Sequence, residues 1–177
     1  MPYFIEGVEV KLVLGDLTGA DVEAIVNSEC DQLTMARGVS GAIRMRGGET
    51  IYQALQEHGK GTVGEAILTS GGDLNAQHVI HAIIMDTDFT TDMIKIRECT
   101  QNCLNLANEH RYISIAFPAF GTGVGDYPPD LCAQNMLSEI RSVLQTHREA
   151  ISIKEIRFYL HNQAVYDAFE EELKKQL

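Results

Sequence analysis

Apolar and polar residues alternate from Val8 through Leu12, and the run continues to Leu14 before Gly15-Asp16 stops it. A period of two of this kind predicts a strand. Ala24-Ile-Val26 predicts a short buried strand ending on Asn27, followed by a polar, irregular stretch from Ser28 to Gly38. Val39 to Arg46 then reads as a helix closed by Gly47-Gly48, and Glu49 to His58 as a second short helix closed by Gly59-Lys-Gly61. Gly64 to Thr69 and His78 to Ile84 are predicted strands on either side of the Gly71-Gly-Asp73 turn. Met93, Ile96, Cys99, Cys103 and Leu106 recur at helical spacing between Asp92 and His110, and Ile113 to Phe117 returns to strand. Pro128-Pro129 opens a long helix through Leu144, because proline lacks only an N–H that the first helical turn leaves unpaired. Ile153 to Leu160 is the last predicted strand and Val165 to Leu177 the last helix. Strands alternating with helices in this way call for a largely parallel sheet covered on both faces, an α/β fold in one domain spanning 1–177.

Composition narrows the function classes. The chain carries 14 lysines and arginines against 25 aspartates and glutamates, a net charge of −11. That balance argues against a basic nucleic-acid groove and against adhesion to anionic lipid. No apolar run approaches the ~20 residues needed to cross a bilayer, and the N-terminus shows no export signal. The four cysteines, Cys30, Cys99, Cys103 and Cys132, form no paired framework and fit reduced thiols in a cytoplasm. Cys99 and Cys103 lie four apart on a helix, but no second pair with zinc spacing accompanies them, so no metal site is expected. His78 and His81 fall on opposite faces of one strand, poor geometry for a shared metal.

An acidic protein that binds phosphates must do so with backbone N–H groups. The segment from Phe117 to Pro128 is built for this: it follows a strand, precedes a helix, and places Gly121, Gly123 and Gly125 at alternate positions. Successive N–H groups in such a loop form an anion nest, and the helix N-terminus adds partial positive charge. The segment is not the dinucleotide-binding fingerprint, since Asp126 stands where the third glycine belongs, and no phosphate-binding Gly-Lys-Ser/Thr sequence is present. Asp16, directly after the first strand, is placed either to accept a hydrogen bond from an exocyclic amine or to cap the following turn. The 14 residues from Asn27 to Ser40 form a long connection ending at Gly38-Val-Ser-Gly41, where helix-start amides again face outward.

Together these segments resemble the macro domain family of ADP-ribose-binding modules, over nearly the whole chain. The resemblance rests on Leu14-Gly-Asp-Leu-Thr-Gly19 with Ala24-Ile-Val-Asn27, on Arg37-Gly-Val-Ser-Gly-Ala-Ile43, on Gly64-Glu-Ala66 and Val79-Ile-His81, and on Ser114 to Gly125. It implies a three-layer α-β-α sandwich with a mixed, mostly parallel sheet. It also implies binding of ADP-ribose or a derivative, free or on modified macromolecules, with no further cofactor. Asp16 would accept from the adenine amine beside Leu17, and Phe120, Gly121, Thr122, Gly123, Val124 and Gly125 would wrap the diphosphate and distal ribose. Gly38, Val39 and Ser40 would approach from the other side, Asn27 and Cys30 would also contact the ligand, and His161 (or Tyr159, one gap away) would stack on adenine.

Departures from the family pattern bear on catalysis. The hydrolytic branch carries Asn-Ala-Ala-Asn where this chain has Asn27-Ser-Glu-Cys30, and its Gly-Val-Asp-Gly reads Gly38-Val-Ser-Gly41. The asparagine and aspartate credited with positioning water and ribose are therefore Cys30 and Ser40. A second branch pairs a nucleophilic lysine with a loop aspartate; Asp126 lies within one position of it, but Ile83-Ile-Met-Asp86 supplies no lysine. Cys30 and Asp126 remain as catalytic candidates. The alternative functions are a hydrolase acting on ADP-ribosyl groups or O-acetyl-ADP-ribose, a poly(A) or RNA-binding module, and a surface for protein interaction alone.

Overall fold

The computed structural model describes residues 2–176 of the 177; Leu177, where the expected last helix ends, lies outside them. In chain order the elements are β1 (Tyr3–Ile5), β2 (Val8–Leu14), a 3-10 turn Leu17–Gly19, β3 (Ala24–Cys30), α1 (Gly38–Gly47), α2 (Glu49–Glu57), β4 (Ala66–Ser70), β5 (His78–Met85), α3 (Met93–Glu109), β6 (Ser114–Phe117), α4 (Pro129–Thr146), a second 3-10 turn Arg148–Ala150, β7 (Glu155–Leu160) and α5 (Gln163–Lys175). The strands form one sheet in the order β1-β2-β7-β6-β3-β5-β4. The five central strands pair in parallel, and the edge strands β1 and β4 pair antiparallel.

Strand alternation sends side chains to two cores. Ala24 and Val26 of β3 pack with Ile80 and Ala82 of β5, Phe117 of β6 and Phe158 of β7, under α3, α4 and α5. Ile25, Val79, Ile83 and Ala116 face the other way, onto Ile43 of α1 and Ile51 and Leu55 of α2. At β3, β5 and β6 both faces are thus dry, which is what allows these parallel strands to read as near-continuous apolar runs, whereas one face of β2 and β7 carries the ion-paired Lys11, Glu155 and Arg157. The result is a three-layer α-β-α sandwich around a mixed, mostly parallel sheet. Among the described residues no helix is long and apolar enough to cross a membrane.

Two elements depart from the sequence expectation. β1 is a three-residue edge strand joined to β2 through Glu6-Gly7, both at positive φ, and is too short to show a period. The irregular stretch expected from Ser28 begins later, because β3 continues through Cys30 in register with β5, with a bulge between Glu29 and Cys30. That extension decides which side chains reach the site.

Candidate functional site

The parallel strands leave their carboxyl ends along one edge, and a cavity of about 640 Å³ lies across them. Leu14 marks its β2 end, Tyr159 and His161 the end of β7, Pro118 the end of β6, Ser28 and Glu29 the end of β3, and Met85 the end of β5. Because the strand order is fixed, the cavity has a direction. Asp16 and Leu17 share one end with Tyr159 and His161; Glu29, Met85 and Phe89 share the other. Four inter-strand steps of ~4.8 Å put β2 and β5 roughly 19 Å apart.

The middle of the cavity is the loop between β6 and α4. It is tied down by its own backbone: Tyr127 N–H donates to Gly121 O at 2.7 Å and Asp126 N–H to Gly123 O at 3.1 Å, while the Thr122 hydroxyl donates to Ala119 O at 2.9 Å. Asn135 of α4 donates to the Tyr127 hydroxyl at 3.1 Å and accepts from Arg97 of α3, which fixes the loop's far end. Among the described residues, Gly123, Val124 and Gly125 donate their N–H groups to no protein acceptor. The three glycines serve different purposes. Gly121 sits at φ +77°, and a Cβ there would meet Thr91 Cγ2 at 2.6 Å; a Cβ on Gly125 would meet the Gly121 carbonyl oxygen at 2.9 Å. Gly123 has open space around it, so the loop's geometry does not require glycine there.

A second loop faces the first. Leu33, Met35 and Gly38 all take positive φ between β3 and α1, and α1 starts at Gly38 without a side-chain cap from Arg37. The N–H groups of its first turn are therefore unpaired and carry the partial positive charge of a helix start. The two loops nearly touch: a Cβ on Gly38 would lie 3.6 Å from Val124 Cγ2. Arg37 also lines the cavity and places its guanidinium 4.7 Å from the centre of the Phe89 ring.

Glu29 holds this second loop. It is 4% exposed, lines the cavity, and accepts from Cys30 N–H at 2.9 Å, from Met35 N–H at 3.0 Å and from the Ser40 hydroxyl in a short hydrogen bond. The network runs on beneath the sheet. Asn27 Nδ2 donates to Ser40 Oγ at 3.0 Å and to His81 Nδ1 at 2.9 Å, which leaves the His81 proton on Nε2, 2.8 Å from Thr69 Oγ1. Burial pushes the His81 pKa down to about 3, so the ring is neutral.

At the opposite end, Asp16 Oδ1 accepts from Thr18 N–H at 2.9 Å and from the Thr18 hydroxyl at 2.7 Å, and so caps the turn Leu17–Gly19. Its Oδ2 lies 2.8 Å from Arg46 of α1. The Thr18 hydroxyl holds the carboxyl below the usual carboxylate range, with the Thr18 N–H and Arg46 adding to the effect. The cap and the cavity-lining position are not exclusive, because the two oxygens point to different neighbours. Tyr159 and His161 both line this end, the first half-buried and the second exposed.

The sequence candidates divide accordingly. Asp16, Leu17, Gly38, Val39, Gly121, Thr122, Gly123, Val124, Gly125 and His161 line the cavity. Asn27, Cys30, Ser40 and Phe120 do not: each is at least 96% buried. Asn27 and Ser40 are spent on the network under α1, and the Phe120 ring packs edge-on against Phe117. The Cys30 side chain turns to the opposite face of the sheet and joins the core beneath α3 and α4. Asp126, at φ +50°, is exposed on the loop's outer side and outside the lining. Cys99 donates its thiol to Ile83 O, and burial pushes its pKa up to about 12; Cys103 is raised by the same cause. Sequence reasoning missed Ser28, Glu29 and Phe89. The signal for Glu29 was its place two residues after Asn27, on the same face of a strand taken to end too early.

Residues 26–136 match the Macro domain family, and the chain belongs to that family. It is 37% identical over 181 residues to an uncharacterized protein of Pyrobaculum aerophilum, an alignment covering 100% of this chain and 97% of that one. Among solved structures, the Oceanobacillus iheyensis macrodomain with ADP superimposes at a TM-score of 0.88 with 29% identity, covering 99% of this chain and 95% of that one. The Trypanosoma brucei macrodomain in complex with ADP-ribose gives a TM-score of 0.84 and 27% identity, with 92% and 68% covered.

Proposed function

We propose that this chain is a single macro domain that binds ADP-ribose or a close derivative. The observation that carries the reading is the pairing of two sets of unpaired backbone N–H groups, at Gly123–Gly125 and at the start of α1, across one cavity. No lysine or arginine occurs between Arg111 and Arg141, so a diphosphate in the centre would be held by amides and a helix N-terminus. The direction of the cavity supports an order for the rest of the ligand. Adenine lies toward β2 and β7, with its amine on Asp16 and its ring against His161 or Tyr159, and the distal ribose lies toward β3 and β5. The bound nucleotides of the two solved macrodomains support the same ligand class. The four free, buried cysteines fit a reducing compartment such as the cytoplasm. Parallel calorimetric titrations with ADP-ribose, AMP and NAD test the reading. ADP-ribose should bind most tightly, AMP measurably but weakly; equal or absent binding of all three would overturn it.

A further inference from the structure

We propose that the starts of α3 and α4 form a docking surface, beside the mouth of the cavity, for a basic stretch of polypeptide that carries the ligand. This rests on the ligand reading above and names the class of molecule to which the ligand is joined. Each helix follows a parallel strand, β5 or β6, so both begin at the edge where the cavity opens. They run side by side: Arg97 of α3 reaches Asn135 Oδ1 of α4 at 3.1 Å and Glu139 at 3.7 Å. Met93 lies one turn before Arg97 and Leu131 one turn before Asn135, so the two fall on the facing sides of the first turns. Met93 is 50% exposed, its neighbour Ile94 70% and Leu131 41%. A helix start favours acidic side chains, yet α3 has none in its first turn, and its buried stripe begins only at Ile96. Three large apolar side chains left in water on adjoining turns mark an interaction surface rather than ordinary scatter.

Charge decides what kind of partner fits. Residues 86–98 and 124–139, which hold the patch, carry seven carboxylates against two cations, Lys95 and Arg97. Both cations are already paired, Lys95 with Asp86 at 3.8 Å and Asp92 at 3.9 Å, and Arg97 with Glu139. Arg37, on the cavity wall over Phe89, adds one positive charge and leaves the region negative. Asp88, Asp126 and Asp130 are exposed and make no ion pair among the described residues. Such a rim attracts lysine and arginine side chains and repels a phosphodiester backbone, so it suits a polypeptide and not a nucleic acid. The position suits a carrier too. With the distal ribose toward β3 and β5, a chain joined to it leaves past Phe89, in the connection that leads directly into Met93 and Ile94.

The test couples ADP-ribose through its terminal ribose to three carriers: a short peptide of lysine and leucine, the same peptide with glutamate for lysine, and a single-stranded oligonucleotide. Calorimetry compares each with free ADP-ribose on the wild type and on the double variant Met93→Ser, Leu131→Ser. The wild type should bind the basic conjugate about tenfold or more tighter than free ADP-ribose, and the advantage should shrink as salt is raised. The double variant should lose most of that advantage while holding free ADP-ribose within about twofold of the wild type, which also shows that it is folded. Equal wild-type affinity for the basic and glutamate conjugates, tighter binding of the oligonucleotide conjugate, or an undiminished advantage in the double variant would overturn the docking surface while leaving the ligand reading standing. The wild-type comparison decides the matter alone if the variant does not fold. Failure of free ADP-ribose to bind the wild type would overturn both.

Discussion

Replacing Gly125 and Gly123 separately by alanine distinguishes a loop held by backbone packing from one that is merely flexible. A Cβ on Gly125 would sit 2.9 Å from the Gly121 carbonyl oxygen and 3.4 Å from Met85 Sδ, whereas a Cβ on Gly123 meets nothing within 4 Å. The first clash is with backbone, and that backbone is pinned, since Gly121 O accepts from Tyr127 N–H at 2.7 Å. Relief requires the turn to open, at a cost of about 1–3 kcal/mol, as for other overpacked sites. An opened turn also misaims the N–H groups of Gly123, Val124 and Gly125. Hydrogen bonds to a charged partner are worth roughly 1.5–3 kcal/mol each, so losing one or two should weaken ADP-ribose binding by about ten- to a hundredfold or more. Gly123→Ala should change affinity by less than about threefold, because its backbone is not in the left-handed region and its surroundings are open. Calorimetric titration with ADP-ribose reads the affinity and thermal unfolding reads the stability. Wild-type affinity in Gly125→Ala, or equal damage from Gly123→Ala, would refute the reasoning.

Other outcomes follow from the same geometry. Asp16→Ala should weaken ADP-ribose binding by about 1.5–3 kcal/mol and lower stability by about 1 kcal/mol through the lost cap; an inosine analogue should bind the wild type poorly, and equal affinity for the adenosine and inosine forms would refute the amine contact. His81 is neutral in the fold, with a pKa lowered from 6.5 to about 3, while the unfolded chain takes up a proton below 6.5. Its contribution is therefore complete above pH 6.5 and lost as the pH falls toward 3, at up to about 1.4 kcal/mol per unit; urea unfolding should show this slope, and a folded His81→Phe should lack it. Release of ADP-ribose from modified acceptors should be slow or absent, because the Cys30 thiol faces the core and Asp126 lies outside the cavity. Robust wild-type turnover would contradict that.

The fold was legible because its signals are local and repeated. β3, β5 and β6 are largely apolar on both faces, β2 and β7 alternate, each long helix carries a stripe, and Pro128-Pro129 and Asp92 mark helix starts that the structure keeps. The glycine loop was legible as a place but not in its detail: one sequence cannot show that Gly121 and Gly125 answer to backbone contacts while Gly123 does not. The Asn27–Ser40 stretch was read least well. Its length marked it as functional, but the three residues that extend β3 are paired to β5, a long-range contact that no period of the segment itself reveals. With β3 ended early, Glu29 stayed in a loop and Cys30 was brought to the cavity; the pleat of the extended strand sends Glu29 to the α1 side and Cys30 to the α3 side. His81 was set aside as a poor metal ligand, and its actual place, buried between Asn27 and Thr69, depends on three strands meeting.

The central claim is that backbone amides, rather than basic side chains, hold the ligand's diphosphate. The most direct measurement is a titration of the 15N-labelled protein with ADP-ribose, followed through its backbone amide resonances. The account predicts large shifts at Gly123, Val124, Gly125, Gly38 and Val39 that saturate together, with little change when the salt is raised. Saturating shifts confined to lysine- and arginine-bearing surfaces, with these five amides unmoved, would contradict it.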